Sequence, residues 1–244
     1  MRLDKFMSET GLLSRKETAK AVARGEITVN GQPVKKADTK LNEETDTVVY
    51  RGERVAYHPF VYVMLHKPTG YISATEDGHA PVVTELLDDV LRKRGLFPCG
   101  RLDKDTTGLM LLTDDGVLSH LLLSPKRHVA KTYAFTLDTP LPDGAEARFL
   151  SGVALKDELC KPAVLTLSPA RDAGEIVLTE GKYHQIKRMM ASEGATVVTL
   201  KRTSFAGIPL DEGLAPGAWR HLSEQELALL KAAPYTNNEE RKAE

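Results

Sequence analysis

The stretch that most constrains this chain is Phe97 to Thr113, FPCGRLDKDTTGLMLLT. Its charged and hydroxyl-bearing segment, Arg101 to Gly108, is set between apolar Leu96-Phe97 and the apolar run Leu109-Met110-Leu111-Leu112. Strand-forming residues that stop at a glycine, turn through charges and resume as strand hold those charges at a sheet edge, where scaffold-mounted loops carry function. Spacing alone leaves two readings open. One is a polar hairpin with Gly108 at its corner, the other a functional loop held firmly at both ends.

The 244 residues suit one large domain or a small one plus a medium one, and 41% hydrophobic residues are enough for a buried core. No apolar run approaches the roughly 20 residues that span a bilayer, and Arg2 through Lys5 charge the N-terminus, so neither signal peptide nor membrane helix is expected. The expected compartment is the cytoplasm. Two cysteines, Cys99 and Cys160, cannot build a disulfide framework or a zinc site, and the seven histidines lack ligand spacing. Reduced thiols and no structural metal are the expectation. A net charge of −1 argues against a globally basic nucleic-acid binder, so any such contact must come from local patches.

Along the chain, Leu3, Phe6, Met7 and then Ala19, Val22, Ala23 recur at helical spacing, separated by Gly11-Leu12-Leu13-Ser14. Ser14 and Glu17 fit a capping box, and the second helix ends at Gly25. Ile27-Thr28-Val29, the turn Asn30-Gly31 and Val34 predict a hairpin. Arg15, Lys16, Lys20 and Arg24 decorate the second helix, with Lys16 and Lys20 on one face. A solvated charged face and a phosphate-binding face are both open there. His58-Pro59 reads as a linker, Phe60–Leu65 as a buried strand turned by His66 to Gly70, and Thr84–Arg94 as one helix. Asp114-Asp115-Gly116 reads as a turn and helix start, followed by a helix over Val117–Leu123. Strands are expected over Lys131–Leu137, Val164–Leu167, Glu175–Thr179 and Thr196–Leu200, with helices over Gly144–Leu150 and Gln185–Glu193. This irregular order predicts an α+β fold with a mixed, largely antiparallel central sheet. The domains expected are 1–57 and 60–233, with 234–244 a disordered tail.

GRLDKDTTGLMLLT resembles the active-site motif of RNA pseudouridine synthases of the RsuA type. Lys131-Thr132-Tyr133 resembles the family's "KTY" element, EGKYHQIKRM (Glu180–Met189) its third motif, and Lys67-Pro68 the opening of its catalytic domain. The N-terminal segment resembles the S4-like (alpha-L) RNA-binding module. The resemblance implies an S4-like domain followed by a pseudouridine synthase domain. It implies an isomerase that converts one uridine of ribosomal RNA without metal or cofactor. EGKYHQIKRM looks closer to the enzymes acting on small-subunit (16S) rRNA, which implies an assembling small subunit as partner and a monomeric enzyme.

The resemblance makes Asp103 the catalytic carboxylate. A carboxylate in a water-poor pocket protonates unless a cation is near. Lys187 stands at the motif position that carries a basic residue, and Arg188 is its rival, about 100° away on a helix. Arg101 is expected to fill the space of the flipped base or to bind phosphate, and Tyr133 to stack on the uracil. Arg15, Lys16, Lys20 and Arg24 become phosphate contacts, while His184 and Gln185 read as structural. Two alternatives stay open: a non-catalytic RNA-binding or ribosome-assembly protein, and a glycoside-acting hydrolase using Asp103 and Asp105.

Overall fold

The structure is a computed structural model that describes residues 1–10, 12–43, 45–55, 59–156 and 158–239. Gly11, the end of the expected first domain at Tyr57, His58 of the expected linker, and residues 240–244 of the expected tail lie outside them. The chain divides into two compact units, one of residues 1–61 and 89–94, the other of residues 62–88 and 95–244.

In the first unit, α1 (Leu3–Glu9) packs on α2 (Arg15–Ala23). The Ser14 side chain accepts from Glu17 N while the Glu17 side chain accepts from Ser14 N, a complete capping box at the start of α2. Four short strands follow: β1 (Ile27–Val29), β2 (Gln32–Pro33), β3 (Val48–Tyr50) and β4 (Glu53–Arg54), in the order β2-β1-β3-β4. Asn30 and Gly31 both take positive φ, at 52° and 77°, as a two-residue turn of this hand requires. Leu3, Phe6, Met7, Val22, Ile27 and Val48 form the core of this unit. Arg15, Lys16, Lys20 and Arg24 all remain exposed on α2 or its end.

The second unit begins with β5 (Tyr62–Lys67), buried along its whole length. The expected strand here started two residues earlier and gave His66-Lys67 to a turn. Both instead continue the ladder, His66 opposite Leu109 and Lys67 opposite Gly108. The single helix expected over Thr84–Arg94 is also two pieces: a 3-10 turn (Val83–Leu86) and α3 (Asp89–Arg94), the latter clustering with the first unit. Leu87, extended at ψ 159° and buried, breaks the helical period.

There follow β6 (Phe97–Pro98), β7 (Thr107–Thr113), α4 (Gly116–Leu123), β8 (Lys131–Leu137), α5 (Ala145–Ser151), β9 (Ala154–Leu155), β10 (Glu158–Leu159), β11 (Val164–Leu167), β12 (Ala173–Leu178), α6 (Gln185–Ser192), β13 (Val197–Phe205), β14 (Ile208–Pro209), β15 (Trp219–His221) and α7 (Glu224–Glu239). α7 continues past Pro234, where the tail was expected to begin. The main sheet runs β11-β12-β8-β13-β7-β5-β15, with β14 on β13 and β6 on β7. Among the described strands of this sheet only β13 with β7 is parallel, so the sheet is mixed and largely antiparallel as expected. β7 lies between β5 and β13 and is buried from Gly108 to Thr113. Leu109 and Leu111 from β7, Leu118 and Leu122 from α4, and Leu230 from α7 share one core. Asp115 caps α4 through Leu118 N and accepts a buried hydrogen bond from Tyr62 at 2.7 Å, so Asp114-Asp115-Gly116 is a helix start.

Candidate active site

The Arg101–Thr106 loop enters β7 where Gly108 lies opposite Lys67, at the end of β5, and Arg202, in the middle of β13. Gly108 is not a hairpin corner, since it lies inside β7 at φ +102°. A Cβ there would come 2.3 Å from Arg202 O and 2.7 Å from Arg202 N. Glycine is required because the β13 backbone passes so close.

Polar contacts fix the loop from below. Lys67 is fully buried, and its Nζ donates to the carbonyls of Pro68, Asp103, Lys104 and Thr106 at 2.8 to 3.3 Å. Burial pushes this ammonium down to about 8, against the pull of Asp105 and Asp103. Ser73 Oγ donates to Leu102 O at 2.7 Å and accepts from Leu102 N at 2.9 Å, and Gly70 N donates to Lys104 O. Thr106 N closes a turn onto Asp103 O at 3.1 Å. These contacts hold the backbone on both sides of Asp103.

Asp103 lines a cavity of about 700 Å³ together with Arg101, Lys131, Tyr133, Lys182, Lys187 and Arg202. Among these cavity residues, the structure brings Lys187 onto Asp103, with Nζ 3.2 Å from Oδ2. The same ammonium is 2.6 Å from Asp105 Oδ1. Its hydrogen bond holds the Asp105 carboxyl below the usual carboxylate range. Burial works to lower Lys187, but the hydrogen bonds and charges of Asp105 and Asp103 prevail and raise it. Arg188 turns away to Glu158, 2.7 Å off.

Tyr133 is buried on β8 against the cavity, opposite Arg202 in register. Arg101 is exposed at its edge. Arg15, Lys16, Lys20 and Arg24 belong to the other unit and are not among the residues lining this cavity.

Three lining groups escaped the sequence reading. Arg202 is 1% exposed, donates through Nε to Leu109 O at 2.7 Å and stacks over Phe205. Lys131, its neighbour in the cavity, is pushed down to about 8 by burial and then by the charge of Arg202. Among the described residues neither is in an ion pair. The third is His184, whose Nε2 lies 3.7 Å from Asp103 Oδ1, so it is part of the site rather than surface. Its partner Gln185 is structural: buried, it accepts from Lys182 N at 2.9 Å and donates to Glu180 at 2.6 Å. The sequence held a signal for Lys131 in the KTY element, but none for a cation hidden in mid-strand such as Arg202.

Asp105 has its side chain 69% exposed and tied to the ammonium that also serves Asp103. The two carboxyls therefore share a counter-charge instead of splitting into acid and base, which removes the basis for glycosidase-like chemistry. The Asp103 carboxylate, paired with Lys187, stands in a cavity lined by aromatic and cationic groups, an arrangement that suits an enzyme acting on a base taken out of a nucleic-acid stack.

Residues 61–192 match the family model described as RNA pseudouridylate synthase, and residues 1–48 match the S4 domain. The chain belongs to the RNA pseudouridylate synthase family, in its RsuA-type branch with an N-terminal S4 region, and is an intramolecular isomerase. It is 43% identical over 235 residues to the uncharacterized RNA pseudouridine synthase YtzG of Bacillus subtilis (strain 168), covering 94% of this chain and 98% of that one. It is likewise 43% identical over 231 residues to ribosomal small subunit pseudouridine synthase A of Escherichia coli (strain K12), covering 93% and 99%. A crystal structure of a pseudouridylate synthase superposes with a TM-score of 0.67 at 37% identity, covering 94% of this chain and 99% of that one. A non-catalytic binder and a hydrolase are thereby set aside. No helix among the described residues is long and apolar enough to cross a membrane.

Proposed function

We propose that this enzyme isomerises one specific uridine of small-subunit (16S) rRNA to pseudouridine, as a cytoplasmic monomer acting on an assembling small subunit. Residues 1–57 serve as the RNA-binding domain and 60–233 as the catalytic domain. The observation that carries the reading is the Asp103–Lys187 pair at the cavity wall, 3.2 Å apart. The rRNA target rests on the 43% identity to a ribosomal small subunit pseudouridine synthase over nearly the full length of both chains.

In the reaction the bond between ribose C1′ and uracil N1 breaks with its electron pair going to the base. The base turns, C5 bonds to C1′, the C5 proton is lost and N1 gains one, so no atom enters or leaves overall. Asp103 supplies the carboxylate facing the sugar or base, and Lys187 pairs with it and fixes its position. Lys131 and Arg202 favour the negative charge that the detached uracil carries, since they meet it in a site of low water content. Tyr133 stacks on the ring, Arg101 meets phosphate or the vacated stack, and Arg15, Lys16, Lys20 and Arg24 hold neighbouring RNA by its phosphates.

Pseudouridine mapping of rRNA from cells with and without the gene tests this. One 16S position loses pseudouridine without the gene and regains it on complementation. Loss confined to the large-subunit rRNA contradicts the target, and an unchanged map contradicts an rRNA substrate.

A further inference from the structure

Tyr183, with 72% of its surface exposed, is an aromatic residue at the edge of the cavity. Its ring lies on that of His184, centroids 3.9 Å apart and planes within 17°. Several contacts hold the backbone beneath. His184 takes a left-handed conformation, φ 47°, which an L-residue adopts at a cost. Lys182 N donates to the Gln185 side chain, and Arg188 Nη1 donates to Tyr183 O at 3.5 Å. Lys182 Nζ donates to Leu159 O at 2.8 Å and pairs with Glu158 at 2.9 Å.

An exposed tyrosine alone needs no explanation, but one stacked on a histidine at the edge of a cavity presents a flat aromatic surface to a ligand. The pair also stands next to the reacting centre, through the 3.7 Å approach of His184 to Asp103. When a uridine leaves its stack to enter the cavity, the adjoining nucleotide loses an aromatic neighbour. A two-ring surface at the cavity edge replaces it.

We propose that Tyr183 and His184 form a stacking platform for the base adjoining the target uridine in the RNA strand. The inference rests on the function proposed above and deepens it, by assigning these residues to substrate binding rather than to chemistry. Stacking tolerates any base, so the platform sets the path of the strand without reading its sequence.

The test uses the full chain and a small-subunit rRNA transcript carrying the mapped uridine. Tyr183→Ala raises KM by about 5- to 150-fold, the value of one base–aromatic stack, with kcat little changed. Tyr183→Phe, which keeps the ring, restores the low KM. In wild-type enzyme, removing the base on one side of the target raises KM by a similar factor, whereas in Tyr183→Ala the same removal has no further effect. The inference is overturned if Tyr183→Ala has wild-type KM, or if base removal on either side costs both enzymes equally. Failure of the wild-type enzyme to modify the transcript would remove the functional reading and this inference together. Failure of the Tyr183 results alone would leave that reading standing.

Discussion

Lys187 Nζ lies 3.2 Å from Asp103 Oδ2, while Arg188, one residue further along α6, reaches Glu158 at 2.7 Å. The rotation of about 100° between successive helical residues sends the two cations to different places. Lys187→Met keeps the aliphatic stem and withdraws the charge, so kcat is expected to fall by about 10- to 100-fold in single-turnover assays. Arg188→Met should leave kcat much closer to wild type. The reverse order of effects would assign the carboxylate's partner to Arg188.

Gly108→Ala tests the mounting of the loop. The added methyl group would meet Arg202 O at 2.3 Å, at a φ of +102° that side chains avoid, and neither backbone can give way inside the sheet. A loss of about 3 kcal/mol or more in urea unfolding is expected. A variant as stable as wild type would show that β7 and β13 can separate locally.

Much of the framework was legible in the sequence because it depends on local chemistry. Ser14 with Glu17 specifies a helix start, Asn30-Gly31 a turn of one hand, and the alternation of Lys131–Leu137 a strand with the bounds observed. Asp103 and Lys187 were found through a family resemblance, since nothing in their spacing says that residues so far apart in the chain meet. What stayed hidden is what only tertiary structure determines. Lys67 looks like a turn residue until four loop carbonyls gather around its ammonium, and Arg202 lies beyond the strand expected over Thr196–Leu200, whereas β13 continues to Phe205 and carries its guanidinium to Leu109 O. His184 read as capping because its left-handed backbone, which turns the ring toward Asp103, has no signature in composition.

The alkaline side of the pH profile follows from Lys67 and Lys131, both pushed down to about 8 by burial. Above that pH the folded chain gives up protons that the unfolded chain keeps until about 10.5. Between the two values the unfolded state binds more protons, so these groups add to folding stability as pH rises. Activity nevertheless falls, because the cavity loses positive charge and the loop loses donors. The expected result is a decline of kcat/KM above about pH 8 while far-UV circular dichroism stays constant. Unfolding in step with the loss of activity would contradict this.

The exposed cations of α2 are expected to act by pairing with phosphates. Replacing Arg15, Lys16, Lys20 and Arg24 by Gln should lower the slope of log affinity against log salt by about 0.7 to 0.9 for each phosphate no longer neutralised. An unchanged slope would place this helix face away from RNA.

Asp103→Asn keeps the size and most of the hydrogen bonding of the side chain and removes only its charge. The measurement is pseudouridine formed on the small-subunit rRNA transcript by the purified variant, alongside RNA affinity at fixed salt and the matching Asp105→Asn variant. If Asp103 is the reacting carboxylate, Asp103→Asn binds RNA like wild type and forms no pseudouridine, while Asp105→Asn retains turnover. Measurable pseudouridine from Asp103→Asn would show that another group performs the chemistry.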